Sequence, residues 1–381
     1  MVKMSNSKKG NTIGHSDEKF VCPVCIREKY LSSYVTEQGK AGVCDYCKHD
    51  DKVLPIGEIA LLIEDGFDFL YERQNKEELI NNVSKDFPLN GNKNFIDKHD
   101  LITQWVARVN TELLFDLFEI IENNLWFDDS KYYFNSGERK YYTWDYFTYI
   151  VKHQTRYIFM QVDHPLGTLI DYPEASKILA DTLELFTRFD LYTILPKNTI
   201  IYRARPAPCG QNLSAKELGS PPPVICKQSN RFSPAGISMF YGSEDQKTCL
   251  DEIDEKEAVV GEWALTEEMK ILDLTKCTEH DMPSIFDKKR RGDYHEYKYI
   301  LDFKSDLSEP INKDGCEHYE YVPTQIVAEF LKVNKPDVLG ICIYSSINTR
   351  KKNYTLFLGN DDCCKENKLK LISQKKFKSD F

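Results

Sequence analysis

A change of apolar period near Leu195 restricts the fold of this chain more than any other feature. Ile56, Ile59, Ala60, Ile63, Phe67 and Leu70 recur at helical spacing, as do Trp105, Val109, Leu113, Leu114, Leu117 and Ile120. Two further helices are expected around Tyr141–Met160 and Pro173–Tyr192, giving a bundle lined by Trp126, Trp144, Tyr146 and Phe147. Beyond Leu195 the pattern becomes short alternating runs broken by Pro and Gly: 199–205, 237–241, 270–274, 338–344 and 354–358. Helices followed by strands predict an α+β, multidomain chain. The expected divisions are a disordered tail over 1–18, a small cysteine module over 19–52, a helical domain over 53–193 and a mixed α/β domain over 194–381.

At 381 residues, with 41% hydrophobic and 12% aromatic content, the chain can bury ordinary cores. Its formal charge of -10 argues against indiscriminate nucleic-acid binding, although a local basic face is compatible with it. The start, MVKMSNSKKGNTIGHSDEKF, lacks the apolar core of a secretory signal, and no apolar run is long enough to span a bilayer. A cytoplasmic protein without membrane contact is expected, and its oligomeric state stays open.

Of twelve cysteines, four form a pattern. Cys22-Pro-Val-Cys25 and Cys44-Asp-Tyr-Cys47 lie 18 residues apart, the spacing at which two knuckles close a tetrahedral zinc site. Zn2+ there would supply folding energy that so short a segment cannot draw from a core of its own. His49 is a spare ligand candidate. A redox CxxC would instead open a helix beside a strand. Lys288–Arg291, KKRR, reads as a solvated run in a polar loop, and the residues from Asn360 onward as a frayed end.

Chemistry concentrates between Asn230 and Ile253, NRFSPAGISMFYGSEDQKTCLDEI. A Pro-Ala-Gly turn precedes a strand ending at Tyr241, and Ser243 with Gln246 three residues on reads as a capping box opening a helix. Arg231 sits just before the turn. Glu252 follows Thr248 by one helical turn with Cys249 and Ile253 on its apolar side, although spacing alone does not separate it from Asp251, Asp254 or Glu255. Upstream, strand alternation puts Arg203 and Arg205 on one face and Ile200, Tyr202 and Ala204 on the other. Paired guanidinium groups suit phosphate oxygens, although on their own they are usually a solvated sheet face. Downstream, a strand over 338–344 ends in Ser345 and Ser346, with Gly340 admitting a close neighbour. Tyr321-Val-Pro-Thr-Gln325 opens a helix over 324–331.

In order and in motif, the stretch from Leu195 to Leu358 resembles the RES domain, a family of NAD-consuming bacterial toxins with an ADP-ribosyltransferase-like fold. Tyr202-Arg203 resembles the opening Tyr-Arg, Asn230-Arg231-Phe232 the arginine turn, Tyr241 the strand tyrosine, and Thr248–Ile253 the Thr-Ala-x-x-Glu helix, with Cys249 in place of alanine. Ser345 best matches the name-giving serine, with Ser346 a near alternative because Tyr344 stands where proline is common. The resemblance implies cleavage of the nicotinamide–ribose bond of NAD+. Glu252 would stabilise the developing positive charge, Arg203 and Arg231 would hold the phosphates with Arg205 beside them, Tyr241 the nicotinamide and Ser345 the sugar, Tyr202 flanking the site.

Water, phosphate or a macromolecule could accept the ribosyl group, giving a glycohydrolase, a phosphorylase or an ADP-ribosyltransferase. A different class of reading is a binding protein whose RES-like domain only senses NAD while residues 1–195 contact nucleic acid or protein. The helical region resembles the HEPN-like domain that precedes many RES domains. The HEPN ribonuclease pattern of Arg and His fails here, since Arg156 and His164 are too far apart and His153 has no suitably placed arginine. An NAD-consuming enzyme needs restraint, so an antitoxin or internal inhibition is expected. Under internal inhibition, residues 195–381 alone would be more toxic than the whole chain.

Overall fold

The computed structural model describes residues 18–74, 95–106, 111–122, 125–127, 144–159, 175–208, 211–253, 255–308 and 317–378. The tail before residue 18 and His164 lie outside them. Contacts divide the chain into one compact unit of residues 1–133 with 283–294, and a second of 134–282 with 295–381.

The first unit opens on a sheet of β1 (Phe20–Val21), β2 (Lys40–Val43) and β3 (Asp50–Pro55), with β3 in the middle. A helix over Lys29–Gln38 packs on it, its first turn closed by the Glu28 carboxylate accepting from Leu31 N at 2.7 Å. The Ile56–Leu70 helix buries Ile56, Ile59, Ala60, Ile63, Phe67 and Leu70, the stripe read from the sequence. Helices follow at Lys98–Val106 and Thr111–Ile120, with a small sheet of β4 (Glu72–Gln74), β5 (Phe95–Asp97) and β6 (Leu125–Phe127). Phe67 meets Trp126 edge-on at 5.7 Å and Phe286 at 6.0 Å, so the 283–294 segment shares this core. The basic run is only partly solvated: Lys288 Nζ lies 3.1 Å from the Asp65 carboxylate and Arg291 bonds the same group.

The second unit is built on one eight-stranded mixed sheet. Its strands are β7 (Tyr192–Leu195), β8 (Ile200–Pro206), β9 (Phe240–Ser243), β10 (Glu257–Leu265), β11 (Met269–Asp273), β12 (Val338–Tyr344), β13 (Lys352–Leu356) and β14 (Leu369–Lys378). Across the sheet they run β14-β10-β8-β9-β13-β12-β11-β7, with β11 and β12 parallel and the other neighbours antiparallel. One apolar cluster joins Ile341 and Ile343 of β12 to the helices at Trp144–Tyr149, Ala175–Arg188, Tyr294–Ser308 and Val322–Asn334. A second gathers Ile201, Phe240, Trp263 and Leu356 with Leu218 and Cys363 of two short helices. The helices at 144–149 and 175–188, expected in a bundle ahead of the sheet, thus share their core with the sheet.

Several elements differ from the sequence reading. The strand expected at 237–241 is β9 at Phe240–Ser243, because Gly236 at φ +90° holds a turn against Cys226 O and the chain straightens only after it. Ser243 does not cap the next helix. It ends β9 opposite Asn353, and Asp245 takes the cap by accepting from Thr248 N at 3.0 Å. The expected frayed end past Asn360 is instead a helix at Asn360–Cys364 and the ten-residue β14, paired along the whole of β10. Lysines on β14 suit an edge strand, where they discourage further pairing. Strand β10 and the Tyr294–Ser308 helix had no counterpart in the sequence reading. Among the described residues, no helix is long and apolar enough to cross a membrane.

Candidate active site

Strands β8 and β9 touch at one pair, Tyr202 opposite Ser243, and no ladder continues from it. Beside that pair, Arg203 of β8 reaches both the end of the Ala215–Leu218 helix and β9. Its Nε donates to Leu218 O at 3.1 Å and its Nη1 to Tyr241 O at 2.6 Å. A cavity of about 690 Å3 opens beside the splay, lined by Arg203 and Arg205 of β8, Tyr241 and Ser243 of β9, Arg231, Glu252, Ser346 and Asn353.

Three guanidinium groups therefore face one hollow. Burial, then the like charge of Arg205, pull Arg203 down to about 10. Burial also lowers Arg205 and Arg231, against the opposing pull of nearby acids and thiols. All three keep their charge at neutral pH, and an anion entering the cavity would relieve the cost of burying them. Arg231 lies 5.7 Å from the Tyr321 ring and donates to Asp306 O at 3.3 Å. Its own carbonyl accepts from the Thr324 hydroxyl, and Asn230 O accepts from Gln325 Nε2 at 2.8 Å, so the first turn of the Val322–Asn334 helix fixes the arginine turn. Tyr241 shares a 2.8 Å hydrogen bond with Ser233, and burial pushes its phenol up to about 12.

Glu252 closes the Gln246–Asp251 helix as its C-cap, its N–H reaching Thr248 O at 3.1 Å. Its Oε1 accepts from Ser345 Oγ at 2.6 Å and from Asn353 Nδ2 at 2.7 Å. Two donors saturate that oxygen. No donor among the described residues bonds Oε2.

The structure thus brings Arg203, Arg205, Arg231, Tyr241, Glu252 and Ser346 to one cavity. Tyr202 takes the other face of β8, as alternation requires, and is not part of the lining. Ser345 is 1% exposed and does not line the hollow, and its contact with the site runs through Glu252. Asn353 and Ser233 escaped the sequence reading. Asn353 carried one usable signal, an asparagine inside a strand, where that residue is depleted.

In the first unit the four sulfurs of Cys22, Cys25, Cys44 and Cys47 lie within 4.8 Å of one another. Cys22 and Cys47 are 3.5 Å apart and Cys44 and Cys25 3.8 Å. Bonds of ~2.3 Å to a tetrahedral ion place sulfurs about 3.8 Å apart, so the cluster fits a metal of that kind. Burial raises Cys22 to about 11, whereas at Cys44 the effect of burial is outweighed by backbone N–H groups, chiefly that of Cys47, which hold it at about 7.

In an open-edged mixed sheet, the hollow at the strand splay is lined by three arginines together with one carboxylate held by Ser345 and Asn353. Residues 201–377 match the RES domain, and residues 37–165 match HEPN/RES N-terminal domain 1, in the order expected from the sequence. The chain therefore carries a RES domain preceded by a HEPN/RES N-terminal domain. No curated protein and no solved structure matches it.

Proposed function

We propose that this protein cleaves the nicotinamide–ribose bond of NAD+ as a glycohydrolase, acting as a toxin or defence effector. One observation carries the reading: the carboxylate of Glu252, an exposed residue, has one oxygen saturated and the other open, and it shares a cavity with three half-buried arginines. Bond cleavage develops positive charge on the ribose, and a preorganised carboxylate stabilises that state more than the ground state. Glu252 Oε2 serves this role. Arg231, Arg205 and the uncommitted Nη2 of Arg203 hold the pyrophosphate, Tyr241 stacks on the nicotinamide, and Ser346 offers a hydroxyl to the sugar. Ser345 orients Glu252. Water is the acceptor in this reading; phosphate or a macromolecule would make the same site a phosphorylase or a transferase, and product analysis with and without phosphate distinguishes them.

Four thiolates holding Zn2+ would supply folding energy to the first unit. No step of the reaction passes through that site. Restraint by an antitoxin accords with the hazard of NAD loss to the host cell.

The test is NAD+ consumption by purified protein beside Glu252→Gln. A loss on the order of 10²-fold or more is expected for the variant. Equal persistence of NAD+ with both proteins folded refutes the assignment.

A further inference from the structure

The polar atoms around Glu252 form a chain whose protons can be assigned from geometry alone. Ser345 Oγ accepts from the backbone N–H of Ile347 at 3.2 Å and of Asn348 at 3.1 Å. A hydroxyl with both lone pairs occupied has one proton left, and it points to Glu252 Oε1 at 2.6 Å. A carboxylate only accepts, so the Asn353 side chain must turn its NH2 towards Glu252 at 2.7 Å. Its carbonyl then faces Ser243, whose hydroxyl donates to Oδ1 at 2.6 Å. Each member has one role open to it, and the order Ser243, Asn353, Glu252 cannot run backwards.

The strands place the members of the chain side by side. Asn353 and Ser243 are directly paired on β13 and β9, and Ser243 is also the β9 residue that pairs with β8, opposite Tyr202. The splay that opens the cavity and the residue that supports its carboxylate are therefore set at the same rung. On the other side, Ser345 sits just past β12, with its N–H held by Lys351 O at 2.8 Å.

We propose that Asn353, backed by Ser243, is a positioning residue for Glu252: it commits Oε1 and leaves Oε2 as the one oxygen presented to substrate. The inference rests on Glu252 acting in NAD+ cleavage, and it predicts a dependence specific to that carboxylate. Asn353→Ala should lower kcat ~10–100-fold with KM for NAD+ nearly unchanged, the scale at which support around a reacting group is lost. In a Glu252→Gln background the same substitution should cost less than about twofold further, because it acts only through the missing carboxylate. Asn353→Asp, equal in size and unable to donate, should be no better than alanine. Ser243→Ala should show the same pattern with a smaller loss.

Loss of equal size in both backgrounds, or a rise in KM alone, overturns the proposal. A wild-type enzyme that leaves NAD+ intact refutes the catalytic reading, and the positioning claim then rests on a second measurement. With carboxyl-13C glutamate and Glu252→Gln as the assignment control, the Glu252 resonance should be single in wild type and displaced or broadened in Asn353→Ala. An unchanged resonance sinks the claim whatever the activity.

Discussion

Arg203 and Arg205 project from the same strand face, yet the structure gives them different work. Arg203 ties β8 to Leu218 O at the end of a short helix and to Tyr241 O on β9, whereas Arg205 makes no hydrogen bond to a described residue. Arg203→Met should therefore cost stability, about 1–3 kcal/mol for carbonyls left without a donor, as well as NAD+ affinity. Arg205→Met should raise KM while the thermal midpoint holds. Melting curves read beside KM for the two variants check the division; equal midpoints would show that the splay does not depend on Arg203. Sequence alternation put the two arginines together and could go no further, because a guanidinium bonded to carbonyls and one lining an open cavity look alike in one dimension. Glu252 posed the same difficulty: its neighbours Asp251 and Glu255 carry carboxyl groups too, and its selecting partners, Ser345 and Asn353, lie 93 and 101 residues away.

Among the elements, those with a clean period were legible. The Ile56–Leu70 helix buries the stripe expected of it, and β12 runs Val338–Tyr344 as read. Gly340 there admits the neighbour it was expected to, since a Cβ would come 2.8 Å from Thr355 O. Less legible elements had competing local signals. Ser243 and Asp245 both offer a cap, and β-pairing with Asn353 decided between them. β14 carries lysines along an exposed edge and so resembles a solvated tail. The helices at Trp144–Tyr149 and Ala175–Arg188 belong to the same story: their apolar faces were visible, and what those faces cover was not. Trp144, Phe147, Ile178, Leu183 and Phe186 pack in one cluster with Ile300, Phe303 and Leu331. A chain cut at residue 195 loses that whole layer. Single large-to-small core changes cost ~2–5 kcal/mol and a domain holds only ~5–15 kcal/mol, so residues 195–381 should not fold cooperatively. Circular dichroism on heating is the check, and a sharp transition in that fragment would contradict the packing. Comparing its toxicity with that of the whole chain consequently says nothing about internal inhibition.

For the molecule as a whole, the two units are stabilised by different means. The first joins an apolar core around Phe67 and Trp126 to a four-sulfur cluster that could hold a metal ion, whereas the second rests on two extended apolar cores. Purified protein should contain about one zinc per chain by elemental analysis, with four thiolates filling one tetrahedral ion. Cys44→Ser or a strong chelator should abolish the melting transition of the first unit; retention of both metal-free folding and the full transition would exclude a structural ion.

The segment at 283–294 comes from within the RES match and yet belongs to the unit at the other end of the chain. The backbone passes between the units three times, at 133/134, 282/283 and 294/295. A single recombination event between genes can therefore never transplant either half intact. Descent should have carried the pair together, and an engineer seeking a chimaera must replace twelve interior residues along with the front end.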